Sequence, residues 1–203
     1  MLRKTWPDGL GFVKERDDVR KYSYADYLTW DENERWEIID GIPLMQAAPS
    51  RIHQEILMEI SKQFAVYLTG KPCKVYPSPF AVRLDIELND NDVKNVVEPD
   101  ITIVCDKNKL DDRGCKGAPD MIIEIVSPST SKNDKLVKFN KYEKAGVKTY
   151  WLVEPEPKLV SVFTLTNGKY GRPEIYNDDD KTKVTIFSDL EIDLKSVFDV
   201  IDL

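Results

Sequence analysis

The feature that most constrains this chain is a pair of apolar runs with acids inside them. They are VVEPDITIVC, from Val96 to Cys105, and PDMIIEIVS, from Pro119 to Ser127. Each reads as a β-strand bounded by turn residues, with Asp100 in the first and Glu124 in the second. An ionised carboxylate in an apolar setting costs several kcal/mol or more unless it is paired, protonated or bound to a metal. A fold that buries these strands must therefore bring a base, a proton or a cation to the two acids. A third acid, Glu37, lies in the similar run Trp36, Ile38, Ile39.

The remaining pattern places those strands in a mixed α/β (α+β) order. SYADYLTW reads as a short helix capped by Ser23, and RWEIIDGIPLMQA as a hairpin turning at Asp40-Gly41. From Pro49 to Gly70 the apolar residues Ile52, Ile56, Ile60, Phe64 and Tyr67 recur at helical steps. Ser50 supplies an N-cap and Gly70 a stop. CKVYPSPFAVRLDIEL gives one or two strands broken at Pro77 and Pro79. A helix over Ser131 to Ala145 ends at Gly146, and VKTYWLVEP is the next strand. Asn167-Gly168 marks a second hairpin, and KVTIFSDLEIDL a last strand region before a short terminal helix. With no internal repeat and 203 residues, one domain with helices packed on a sheet is expected.

Composition matters for what the chain can touch. A formal charge of −7 argues against a protein that coats nucleic acid through a basic face. It leaves room for an enzyme whose carboxylates are neutralised locally by divalent cations. The opening residues have a basic pair with no apolar run behind it, unlike a secretory leader, and no stretch is long enough for a membrane helix. The three cysteines, Cys73, Cys105 and Cys115, form neither a CxxC pair nor an even disulfide framework, so a cytoplasmic location is expected. The single histidine, His53, excludes His-rich zinc hydrolase patterns, and no P-loop, GxSxG or GxGxxG element occurs.

Several blocks in order carry a resemblance: WEIIDG (36–41), APSRIHQEIL (48–57), EPD (98–100), IIEIVSPST (122–130), DKLVKFNKY (134–142) and AGVKTYWLVEP (145–155). Over about residues 20–190 the chain resembles the Uma-type family of the PD-(D/E)XK nuclease superfamily. The resemblance implies the restriction-endonuclease-like fold, a central mixed β-sheet flanked by helices. It implies a Mg²⁺-dependent endonuclease, with Mn²⁺ as a substitute, cutting phosphodiester bonds in DNA, and it is compatible with a homodimer. Asp100 corresponds to the acid of the PD element and Glu124 to that of (D/E)XK. Two residues after Glu124 stands Val126 instead of the usual lysine, and the family's displaced lysine corresponds to Lys138, with Lys141 as the neighbouring candidate. Glu37 corresponds to a further metal ligand, and His53 to a residue lining the site.

The residue chemistry agrees with that grouping. Magnesium favours oxygen ligands and retains waters, so carboxylates on adjacent strands with a strand carbonyl such as that of Ile125 suit it. Asp100 shares a strand face with Thr102 and Val104, and Glu124 with Ile122 and Val126, so both acids meet if the strands pair in register. Lysines 132, 135, 138, 141 and 144 recur at three-residue steps, which drift around a helix, so most are solvated. Lys138 shares a face with Asp134 and Tyr142, one turn to either side. Two other function classes fit the same residues: a non-catalytic member binding nucleic acid or protein, and a metal-dependent phosphoesterase acting on a small molecule. A structural ion pair, for instance Glu124 with Arg83, is the plain alternative.

Overall fold

A computed structural model of the protein describes residues 20–31, 33–86, 89–127 and 133–202. The opening residues, the Pro128–Thr130 part of SPST, and Ser131 and Lys132 lie outside them. In chain order the elements begin with α1 (Tyr24–Tyr27), the hairpin β1 (Trp36–Ile39) and β2 (Ile42–Met45), and α2 (Arg51–Leu68). Then come β3 (Lys74–Pro77), β4 (Val82–Arg83), β5 (Val96–Val97), β6 (Ile101–Val104), β7 (Leu110–Asp111), β8 (Gly114–Lys116) and β9 (Met121–Ile125). A π-helical segment (Asn133–Lys138) runs into α3 (Phe139–Ala145), followed by β10 (Thr149–Glu154), β11 (Leu159–Thr166) and β12 (Lys169–Tyr170). The chain continues through β13 (Glu174–Asn177), β14 (Lys181–Lys183), β15 (Glu191–Asp193) and α4 (Leu194–Phe198).

The order is mixed α/β, as the sequence pattern predicts. The main sheet runs β12-β11-β10-β9-β6-β3, with β13 also on β11. It is mixed because β10 lies parallel to β9 while β6 and β11 run antiparallel to their neighbours. Its central strands are covered on both faces, so every residue of β9 is buried and β10 is buried up to Glu154. A second sheet, β2-β1-β5-β4-β8-β7, carries the first hairpin.

On one face of the main sheet packs α2. Ser50 Oγ accepts the His53 amide at its start, and Ile56, Ile60, Phe64 and Leu68 form its buried ridge. These residues meet Ile101, Ile103, Ile123 and Trp151 in the largest core cluster, with Phe64 tilted against Trp151 at 6.2 Å. The other face holds Val104, Ile122, Tyr142, Tyr150 and Leu152 with Val82, Val97 and Cys115 of the second sheet. The hairpin turn at Asp40-Gly41 has φ of 52° and 77°, the positive pair a two-residue turn of this kind needs.

Three expectations change. The long acid-bearing run splits at Glu98-Pro99 into β5 and β6, because a proline cannot donate to the ladder. The helix before Gly146 is α-helical only from Phe139, and Lys138 ends the π-helical turn that precedes it. Cys73 and Cys105, expected to be free, are joined in a disulfide at the end of the β3–β6 ladder. Pairing Lys74 with Val104 sets Cys73 opposite Cys105, a neighbourhood created by strand register across 32 residues and invisible in cysteine spacing. The inference from cysteine count to a reducing compartment therefore lapses. Cys115 is free and buried. Among the described residues no helix is long and apolar enough to cross a membrane.

Candidate metal and catalytic site

The register between β6 and β9 decides whether the two strand acids meet. Ile101 pairs with Ile123 and Thr102 with Ile122, so one step further along the ladder Asp100 stands opposite Glu124. Directly opposed residues on antiparallel strands project to the same face. The two acids are also cross-tied through backbone: the Ile125 amide donates to Asp100 Oδ2 at 2.7 Å, and the Asp100 amide lies 3.4 Å from Glu124 Oε2. Both line a cavity of about 270 Å³ with His53, Ile125, Asp134 and Lys138.

Lys138 supplies the base that the buried acids require. Its Nζ lies 2.8 Å from Glu37 Oε1, 3.0 Å from Glu124 Oε1 and 3.7 Å from Asp134 Oδ1, and the residue is 4% exposed. The π-helical turn aims it there: the wider turn hands the chain to α3 so that Lys138 and Tyr142 both point at Glu124, whose Oε1 accepts the Tyr142 hydroxyl at 2.6 Å. The Asp134 carbonyl accepts the Tyr150 hydroxyl at 3.0 Å, which ties this turn to the sheet. Lys141, the rival lysine, bonds to Asp40 on the hairpin turn. Arg83, the alternative partner for Glu124, pairs instead with Asp111 at 2.7 Å.

The electrostatics follow from counting charges in a buried space. Burial pushes the Glu124 carboxyl well above its usual range; Lys138 opposes that shift, while Asp134, Asp100 and Glu37 add to it. Burial works against the Lys138 charge, but Glu124, Glu37 and Asp134 outweigh it and hold the ammonium well above the ordinary lysine value. Tyr142 is raised by burial and then by the charges of Glu124 and Glu37. Among the described residues carboxylates outnumber the cation, an imbalance that a divalent ion would correct.

The donors fit such an ion at Asp100 and Glu124 and not at Glu37. Asp100 Oδ2 is taken by the Ile125 amide and by His53 Nε2 at 3.2 Å, which leaves Oδ1 without a partner among the described residues. Glu124 Oε2 has only the long contact to the Asp100 amide. Glu37 is differently placed. Its Oε1 accepts from Lys138 and from the Glu98 amide at 2.9 Å, its Oε2 accepts from Gln46 at 2.8 Å, and it is 1% exposed. Expected as a third ligand, Glu37 is engaged in holding Lys138. Among the described residues no group of three or more His, Cys, Asp and Glu is arranged to hold a metal. A cation here would take two carboxylates, a strand carbonyl and water, a sparse protein set of the sort magnesium accepts.

Sequence reasoning missed a second layer. Arg35 on the lip of the cavity pairs with Glu98 at 3.0 Å and donates to Ser78 Oγ, while Tyr27 donates to Glu98 at 2.9 Å. Gln46 gave no signal, because its role depends on the hairpin folding it back onto Glu37. Asp134 was legible only as a residue one turn from Lys138.

The family model Uma2, described as "Putative restriction endonuclease", matches residues 24–195. "Uncharacterized protein slr1290" from Synechocystis sp. (strain ATCC 27184 / PCC 6803 / Kazusa) is 28% identical over 124 residues, which are 60% of this chain and 62% of that relative's length. A solved chain from Anabaena variabilis ATCC 29413, described as "a putative nuclease belonging to DUF820", superposes with a TM-score of 0.70 at 20% identity. It covers 87% of this chain and 97% of its own. That likeness shows a shared fold.

Proposed function

This chain belongs to the Uma2 family, and from that premise we propose that it is a metal-dependent nuclease hydrolysing phosphodiester bonds in DNA, with Asp100, Glu124 and Lys138 at its centre. The observation that carries the reading is the opposed pair Asp100 and Glu124 on one cavity wall, with a buried ammonium 3.0 Å from Glu124. The family description and that of the Anabaena variabilis chain both name nucleases, in keeping with it.

Asp100, Glu124 and the carbonyl of Ile125 would hold a magnesium or manganese ion, which when bound polarises a phosphate ester and favours attack by water. The protein's own contribution is placement. His53 and the Ile125 amide fix Asp100 Oδ2 and so orient the free Oδ1. Glu37, itself held by Gln46 and the Glu98 amide, fixes Lys138, whose ammonium lines the cavity and offsets negative charge developing on the phosphate oxygens. Lys138 thus does from a helix what a lysine two residues after Glu124 would do from the strand. Burial excludes bulk water and strengthens each of these interactions.

The test is cleavage of supercoiled plasmid and single-stranded circular DNA with Mg²⁺ or Mn²⁺, beside EDTA and Asp100→Asn controls. Metal-dependent strand breaks that vanish in the variant are expected. Breaks of equal rate in Asp100→Asn would show that another protein or another site cuts. No cleavage of any DNA or RNA form would remove the nuclease reading.

A further inference from the structure

A second cavity, of about 370 Å³, adjoins the site, and the two share Ser50, His53 and Ser127 as a common wall. Its apolar lining is made by Ile52, Val126, Pro155 and Ile201, and Glu154 and Glu156 add carboxylates. None of the Asp100, Glu124 and Lys138 chemistry lies within it. Its volume falls in the range of small-molecule sites, which begin at about 300 Å³. A substrate whose scissile phosphate sits at Asp100 and Glu124 must put the next group along its chain somewhere, and this cavity is immediately beside that phosphate.

The chemistry of the lining selects what can enter. Two carboxylates repel a phosphate, so the sugar-phosphate backbone does not occupy this space. Glu154 is partly neutralised by Lys135 at 2.5 Å, whereas Glu156 has no partner among the described residues. Both offer acceptors only, so they match a flat, uncharged group that carries N–H donors. The junction between the two cavities adds an unpartnered polar atom. There His53 Nε2 lies 3.2 Å from Asp100 Oδ2, and its Nδ1 is buried with no hydrogen-bond partner among the described residues. Aliphatic walls that sandwich a planar ring, with carboxylates accepting from an exocyclic amine, are the elements by which proteins hold an unstacked base.

We propose that this second cavity is a nucleobase subsite that takes one unpaired, amino-bearing base next to the scissile phosphate, so that the preferred substrate is single-stranded or locally unpaired nucleic acid. The inference rests on the nuclease reading of the neighbouring site and adds the form of its substrate. Duplex DNA enters poorly because its bases are stacked and paired, and extruding one costs a few kcal/mol that an already single strand does not spend.

The experiment measures binding, with no dependence on turnover. Fluorescence anisotropy of short labelled oligo(dC), oligo(dU) and a duplex is recorded in EDTA and again in Ca²⁺. Cytosine and uracil share size and differ at position 4, an amine against a carbonyl, and at N3, an acceptor against an N–H. Oligo(dC) is expected to bind about tenfold more tightly than oligo(dU), and more tightly than the duplex. Glu156→Gln, at an exposed position, should shrink the dC preference, and Ile52→Trp, which fills the cavity, should weaken both single strands. Equal affinity for dC and dU, a preference untouched in Glu156→Gln, or no measurable binding would overturn the proposal. Cleavage without base preference would sink this inference alone, and base-selective binding without cleavage of any substrate would sink only the nuclease reading.

Discussion

Replacing Lys138 with methionine isolates the interaction on which the whole acidic centre depends. The substitution keeps the aliphatic stem and its packing and removes the ammonium that lies within 4 Å of Glu37, Glu124 and Asp134. Removing one member of a buried charge pair costs about 3–5 kcal/mol, because the charges left behind have no compensation. Against a total stability of about 5–15 kcal/mol that is a large fraction. With a urea slope of about 2 kcal/mol/M, the unfolding midpoint falls by roughly 1.5–2.5 M. The loss also depends on pH. Burial holds the Glu124 carboxyl above its unfolded value, so it folds without penalty while protonated, and the penalty grows as pH rises above the ordinary glutamate value of 4.5 and through the raised one. Urea titrations of Lys138→Met near pH 5 and pH 8 should therefore show the larger deficit at the higher pH. Lys141→Met is the control, since that lysine bonds to an aspartate whose side chain is 64% exposed, and it should cost under about 1 kcal/mol. Equal midpoints for the two variants would refute the reasoning.

Two further outcomes test the scaffold around the site. Gly114 has φ of +119°, and an added Cβ would lie 2.1 Å from the Ala81 carbonyl oxygen that accepts the Cys115 amide, so Gly114→Ala should lose at least about 2 kcal/mol in chemical denaturation; a loss under about 0.5 kcal/mol would contradict the close β4–β8 approach. A thiol reagent at pH 8 should find nothing in the native protein, because Cys115 is buried and burial pushes its thiol up to about 11, and a single thiol after unfolding without reductant. Three thiols after unfolding would remove the Cys73–Cys105 bond.

Much of this centre was legible before any coordinates, for a physical reason. An acid inside an apolar strand has few acceptable environments, so Asp100 and Glu124 announce themselves, and helix α2 does so through its cap and its four-residue ridge. What sequence could not supply was register. The pairing of Ile101 with Ile123 sets Asp100 against Glu124, and that of Lys74 with Val104 sets Cys73 against Cys105. Neither follows from local spacing. The role of Glu37 was also hidden, because an acid on a hairpin strand looks the same whether it faces a cation site or, as here, a lysine from a distant helix. The π-helical turn lies outside the usual 3.6-residue pattern, so a periodic reading carried the α-helix through Lys138 without registering the change.

The central claim is that the opposed carboxylates of β6 and β9 hold a divalent cation, and a calorimetric titration of the purified protein with Mn²⁺ tests it most directly. The wild-type protein should bind Mn²⁺ with a saturable isotherm, and Asp100→Asn, which keeps the shape of the side chain and removes the free Oδ1 charge, should weaken that binding at least about tenfold while the fold is unchanged. An isotherm identical in the two proteins would contradict the account.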